Sequence, residues 1–265
     1  MTFWTSERPR PSALRQWWVL TARVIAPTVR NGELLIAISL SAVFTASFYI
    51  PLRGVMTQIL HRSYAQYLMP SIVLQTVYFA AMSAALRSAT DEVDGVSRRF
   101  RTMPIPTMVP LAARMSGNVY RCIVGVATAM VWAHVIGFRF ERGWQYTLAF
   151  FAVVLLIGIV LALVGDLIGI VSTNPESTTH IILLPVLTLG MLSVGFQPAE
   201  QFPGWIQPFV RNQVLSQFVN ALHTLAGDGT GSPPAWSGLT PALLWLAGIS
   251  MFVVYLYSLI LGSRR

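Results

Sequence analysis

Between Tyr146 and Ser172 the chain carries one charged side chain, Asp166, in an otherwise unbroken apolar run: TLAFFAVVLLIGIVLALVG before it and LIGIV after it. The hydrocarbon core of a bilayer is roughly 30 Å thick and takes about 20 apolar residues of helix to cross. Inside it a helix satisfies its own backbone polar groups, which an open loop cannot do. Five more segments are apolar enough to read the same way: about 34–52, 65–86, 118–138, 181–196 and 240–261, of which 181–196 is the shortest. The pattern predicts an all-α integral membrane protein with six transmembrane helices. Composition agrees, because only 11% of the 265 residues are charged, against about 25% in a soluble domain that must cover its core.

Several function classes fall away at once. A formal net charge of +8 would suit a nucleic-acid binder, but the basic residues sit at the ends of the apolar runs. They do not form one face interleaved with aromatics. All eighteen are arginine, so the chain has neither the lysine of a Walker A loop nor a Schiff-base lysine. One cysteine, Cys122, allows no internal disulfide and no thiolate metal cluster. The first apolar run starts only at Leu34, after a polar N-terminus, and lacks a small-residue cleavage site. It reads as a retained span rather than a signal peptide.

Six spans put the connecting stretches alternately on two sides. The N-terminus, the loops at 87–117 and 173–180 and the C-terminus carry thirteen arginines when Arg121 is counted, and the other side carries five. The positive-inside rule then places both termini in the cytoplasm. Residues 1–33 read as a cytoplasmic N-terminus and 34–265 as the membrane domain. Within the former, SALRQWWVLTARVIAP repeats Leu14, Trp17, Trp18, Thr21, Val24 and Ile25 at helical spacing, with Arg15 and Arg23 off that stripe. Ser12 is a candidate N-cap and Pro27 a candidate stop. The expectation is a helix lying in the membrane interface. Pro70 and Pro185 are expected to kink their helices.

The densest charge lies in DEVDGVSRRFRTMPIP, Asp91 to Pro106. Read as one helix over Asp91–Arg101, it has Thr90 as cap and Asp91, Glu92 and Asp94 early. Arg98, Arg99 and Arg101 come late, which suits the macrodipole. Asp94 and Arg98 stand at i,i+4, Pro104 ends the helix, and Val93, Val96, Phe100 and Met103 form a narrow apolar stripe. A solvated loop would satisfy the positive-inside rule with arginines alone, so this pattern points to a helix that docks on a partner. After the fifth span, Phe209, Val210, Val214, Phe218, Leu222 and Leu225 approximate one helical face. They predict short helices tucked into the outer leaflet, followed by a Gly/Pro linker at 227–238.

YAQYLMPSIVLQTVYFAA, RSATDEVDGVSRRFRTMPI, GFRFERG and FPGWIQPFVRNQVLSQFVNAL, in that order, resemble the ABC-2 type permeases. The likeness is to their daunorubicin-resistance group, and within it to the mycobacterial B-type members, over nearly everything from Arg15 onward. The resemblance implies a half-transporter with six spans, a coupling helix in the first cytoplasmic loop, an interfacial N-terminal helix and short re-entrant external helices between the last two spans. It implies a second permease, identical or paralogous, and separate ATP-binding subunits that hold ATP and Mg, with no cofactor on this chain. The implied cargo is amphiphilic drugs, polyketides or complex lipids. The coupling segment falls on Glu92, Val93, Asp94, Val96, Arg98, Arg99 and Phe100. Two departures stand out: Ser71 follows Pro70 where glycine is common, and Gln213 follows Asn212 where proline is frequent.

Two other function classes have some footing. HTLAGD, His223 to Asp228, has the H-x4-D spacing of membrane acyltransferases, though it lies on the external side of this topology, away from cytosolic acyl donors. Asp166 is an intramembrane carboxylate, as a proton-coupled small-molecule exporter would need. A structural ion pair with Arg121, on the neighbouring span, is the expectation for it. His134 and Gln75 read as polar groups at helix contacts. No G-x-S-x-G and no H-E-x-x-H occurs.

Overall fold

The computed structural model describes residues 12–30, 32–60, 63–103, 106, 108–172, 174–227 and 238–263. Arg8, Arg10, Arg62, Pro104, Asp228, the linker body at 228–237, Arg264 and Arg265 lie outside the described residues, as do the side chains of Arg98 and Arg101. The described residues form helices and contain no strand. In chain order these are α1 (Ala13–Arg30), α2 (Glu33–Leu60), α3 (Tyr64–Val93), α4 (Val96–Thr102), α5 (Met108–Val135), α6 (Trp144–Val171), α7 (Pro175–Met191), α8 (Gln207–Asn212), α9 (Val214–Ala226) and α10 (Thr240–Ser263). A single 3-10 turn at Ala199–Gln201 lies between α7 and α8.

Among the described residues, four helices are long and apolar enough to cross a membrane: α2 from Ile38, α3, α6, and α10 up to Leu259. The centre of the bundle is α3. It touches α2, α4, α5, α6, α7 and α9, and its large side chains, such as Tyr64, Leu68, Met69 and Ile72, are fully buried. By contrast α2 and α10 turn most of their apolar side chains outward.

Among the described residues the seam between α3 and α6 is the most extensive, and small residues let it close. A Cβ on Gly165 would sit 2.6 Å from the Ala81 carbonyl oxygen, and one on Gly169 would sit 2.3 Å from that of Ala85. Gly158 makes a similar approach to Cys122, where a Cβ would stand 2.9 Å from Sγ. Two backbones can come this close only where neither carries bulk, which is how small residues hold helices together in lipid.

Several boundaries differ from the sequence reading. Ser12 does cap α1, accepting a hydrogen bond from Arg15 N at 3.4 Å, but the helix runs on through Pro27 to Arg30. Its apolar stripe is divided: Trp17, Thr21 and Val24 turn toward the bundle, while Leu14 and Trp18 remain 75% and 64% exposed. Trp17 Nε1 donates to Ser116 Oγ at 3.1 Å, tying α1 to α5. The fifth apolar segment is shifted toward the N-terminus. Asn174 Oδ1 accepts from Glu176 N at 2.9 Å and Pro175 takes the first helical position, the standard start of a helix, so α7 spans 175–191 instead of 181–196. Likewise α5 starts at Met108 instead of near 118, so 87–117 is mostly helical.

The end of α3 at Tyr64 is clasped by irregular backbone. Tyr64 Oη donates to Phe196 O at 3.2 Å, Ser71 Oγ to Gly195 O at 2.7 Å, and Tyr67 Oη to Val194 O. Gln66 Nε2 donates to Arg139 O at 2.7 Å. On α8 and α9 the expected face is buried at Val210, Phe218, Leu222 and Leu225, whereas Phe209 is half exposed. Both departures from the family pattern have structural uses. Ser71 holds the 194–196 backbone, and Gln213 Nε2 caps the end of α7 by donating to Leu189 O at 3.1 Å and Leu192 O at 2.5 Å.

Candidate functional site

The charged segment is two helices, not one. Asp91, Glu92 and Val93 form the last turn of α3, Asp94 is its C-cap, and Gly95 stands at φ +69 before α4 begins at Val96. That left-handed conformation is cheap only for glycine, so the glycine that would weaken a single helix is the residue that permits the break. Thr90 does not cap; its hydroxyl donates to Leu86 O at 2.9 Å. The acids therefore lie at a helix C-terminus, where the macrodipole opposes them. Arg23 of α1 and Arg114 of α5 supply the opposing charge beside Asp91.

The reset of helical phase at Gly95 splits the predicted apolar stripe. Val96 and Phe100 turn inward and line a cavity of about 380 Å³ beneath α4. Val93 and Met103 are 57% and 49% exposed, and Arg99 is exposed with them. The outward set is therefore Val93, Arg99 and Met103, and the inward set anchors α4 to the bundle.

The expected pair of Arg121 with Asp166 is not what forms. Asp166 is fully buried, and its carboxylate pairs with Arg114, whose Nη2 donates to Oδ2 at 3.2 Å and whose Nε lies 3.0 Å from Oδ1. It also accepts from Tyr257 Oη at 2.5 Å and from Ser88 Oγ. Four helices, α3, α5, α6 and α10, meet on this one carboxylate. Arg114 stands about two helical turns before Arg121 on the same face of α5. It comes within reach because α5 starts ten residues earlier than the apolar run. Gly165 and Gly169, on either side of Asp166, let α6 lie against α3 so that Ser88 meets the acid. A buried charge with this many partners is satisfied, and removal of one partner from such a pair costs about 3–5 kcal/mol.

Arg121 ties α5 to α1 instead, donating through Nε to Thr28 Oγ1 at 3.2 Å and through Nη1 to Asn118 Oδ1 at 2.7 Å. It also lines a second, mostly apolar cavity of about 280 Å³ between α1, α2, α3 and α5, together with Gln75, Phe44 and Phe79. His134 bonds back to Met130 O at 2.9 Å within its own helix. His223 packs its ring against Tyr67 at 5.0 Å between centroids, and the aspartate of the H-x4-D spacing lies outside the described residues. No group of three or more metal-ligating side chains occurs among the described residues.

Comparison with known proteins agrees with this architecture. The family model described as ABC-2 type transporter matches residues 15–225. The chain is 40% identical to the doxorubicin resistance ABC transporter permease protein DrrB of Mycobacterium tuberculosis, over 97% of this chain and 92% of that one. It is 27% identical to the probable doxorubicin resistance ABC transporter permease protein DrrC of the same organism, over 86% and 80% of the two chains. It is 29% identical to the daunorubicin resistance ABC transporter permease protein DrrB1 of Streptomyces coeruleorubidus, over 63% and 59%. With a matching membrane-domain model over most of its length and these relatives, the chain belongs to the ABC-2 type transporter permeases.

Proposed function

We propose that the chain is the membrane subunit of an ATP-driven exporter for amphiphilic drug-like cargo, with α4 as the element that receives the stroke of a separate ATP-binding subunit. The observation that carries this reading is the break at Gly95. It sets a short helix across the end of the central α3, with Phe100 and Val96 gripping the bundle and Val93, Arg99 and Met103 facing out. The drug class comes from the names of the relatives. ATP and Mg belong to the partner subunit, because a chain without lysine cannot form a Walker A loop.

On this reading α5 and α7 complete six crossings, both termini and α4 are cytoplasmic, and α8 and α9 re-enter the outer leaflet. The arginine distribution supports that orientation. The outward apolar faces of α2 and α10 would meet lipid and a second permease. Purification of the tagged chain in mild detergent should bring down a Walker-bearing subunit. Met103→Asp should leave the chain inserted while abolishing cargo-stimulated ATP hydrolysis. Recovery of no ATP-binding subunit, together with efflux that collapses with the proton gradient, would overturn the proposal.

A further inference from the structure

The apolar cavity of about 280 Å³ is built by one chain, from α1, α2, α3 and α5. Its walls include Leu40, Ile72 and the rings of Phe44 and Phe79, whose centroids stand 5.5 Å apart with the planes tilted by 53°. Into this wall the sequence sets Ser41. It is 2% exposed, and its hydroxyl has no hydrogen-bond partner among the described residues. A hydroxyl kept from water without a partner is costly, and a few polar groups of this kind in an apolar pocket fix the orientation of what binds there. Arg121 is the one charged side chain among the described lining residues, and Thr28 and Asn118 already engage it. Gln75 is shared with a void of about 10 Å³ lined by Ser71, Tyr78 and Phe196. That is room for one water, so the cavity does not continue past Gln75. At α2 it is open. Ile36 and Leu40 also line a groove of about 330 Å³ with Leu35 and Val43, and Leu35, Ile36 and Val43 are mostly exposed. A groove on the outward apolar face of a spanning helix opens to lipid.

The cavity selects by exclusion. An acyl chain would leave the Ser41 hydroxyl without an acceptor. A cation would meet Arg121 with no carboxylate on the described wall to balance it. We propose that this cavity is a cargo-binding site inside a single permease chain, entered sideways from the bilayer through the α2 groove, and that it takes a flat, uncharged aromatic ring system bearing a carbonyl. The rings pack against Phe44 and Phe79, the carbonyl accepts from Ser41, and any charged group on the same molecule stays outside in the groove. On the orientation proposed above the groove opens to the cytoplasmic leaflet, so cargo is taken from the membrane and not from the cytosol. The site rests on the reading of the chain as an exporter of amphiphilic cargo, and no second permease is needed to form it.

The test is photolabelling of the permease complex in lipid nanodiscs with anthraquinone, a flat, uncharged ketone, followed by mass spectrometry of the peptides. Under ultraviolet light the excited carbonyl takes a hydrogen atom from a neighbouring C–H and the two radicals join, so adducts mark what the ring touches. Saturable adducts are expected on the α2 and α3 peptides that carry Leu40, Phe44 and Phe79. Ser41→Ala removes a hydroxyl that has no partner, so the fold does not depend on it. It should raise the half-saturating concentration about fivefold, the worth of one hydrogen bond. Leu40→Trp, at the half-buried mouth, should abolish the cavity adducts, while Leu244→Trp, exposed on α10, should leave them unchanged. Should Leu40→Trp fail to insert, the parent map and Ser41→Ala decide by themselves. Labelling that never saturates, or that spreads evenly over the outward faces of α2 and α10, would overturn the proposal. So would labelling equal in Ser41→Ala and the parent, the result expected of a cavity filled by lipid tails. The exporter reading is scored separately, by whether anthraquinone stimulates ATP hydrolysis by the complex. Stimulation without cavity adducts would refute the site and leave that reading standing. Cavity adducts in a chain that co-purifies with no ATP-binding subunit would refute that reading and leave the site.

Discussion

Replacing Gly169 with alanine adds one methyl group at the narrowest point of the α3–α6 seam. The new Cβ would lie 2.3 Å from Ala85 O, 2.7 Å from Ser88 Cβ and 3.0 Å from Ala89 N. Ordinary contact begins at 3.4 Å, and two of those three atoms are backbone, so no rotamer change gives relief. The helices must part by about 1 Å, and the parting pulls Ser88 away from Asp166. Overpacking of this kind costs about 1–3 kcal/mol, and a strained hydrogen bond to a charged group adds about 1.5 kcal/mol. The helix propensity of alanine returns about 1 kcal/mol. The net loss is about 2 kcal/mol, or about 4–8 °C in unfolding temperature for a chain of this size. The protein carries its own reporter, since its one cysteine, Cys122, is buried. A thiol-reactive fluorophore should label it only as the bundle opens. Gly190→Ala is the control, because a Cβ there meets nothing within 4 Å. If Gly169→Ala opens at the same temperature as Gly190→Ala, the close approach is not a constraint and the reasoning fails.

The same labelling assay tests the buried carboxylate. Arg114→Gln and Asp166→Asn should each destabilise by about 3 kcal/mol or more, and the double variant should lose less than the sum; additive losses would mean the two do not act as a pair. For the H-x4-D spacing, His223→Ala should leave cargo export unchanged while losing the ring contact with Tyr67, worth about 1 kcal/mol. An acyl-transfer activity lost in that variant would place the chain in another class.

The apolar runs made the helical, membrane-embedded architecture readable, because 20-residue stretches without charge have few alternatives. The arginine-rich ends were readable for the same reason. Helix termini beyond the apolar runs were not, and the errors share a cause. The N-terminal turns of α5 carry Arg114 and Pro110, so an apolar-run criterion cut them off, and with them the true partner of Asp166. A spacing of seven between Arg114 and Arg121, about two turns on one face, was the available signal. Asn174-Pro175 likewise announced the start of α7 through capping chemistry rather than hydropathy. In DEVDGV the charge order fitted one helix by dipole, and the glycine in its middle was the stronger statement. The seam glycines were in plain view as Gly165-x-x-x-Gly169, opposite Ala81, Ala85 and Ala89, a pattern whose meaning depends on which helix it faces.

A helix of 30 residues is about 45 Å long, so α3 is a shaft that reaches from one face of the membrane to the other. At one end it is joined to α4 through two residues, Asp94 and the left-handed Gly95. At the other, Tyr64, Tyr67 and Ser71 hold three successive carbonyls at 194–196. A shaft of fixed length gripped at both ends does not store a push as local deformation; it delivers it. Displacement of α4 along the axis of α3 would therefore be felt at the turn before α8 without passing through any lipid-facing helix, and the two faces of the permease would move on one stroke.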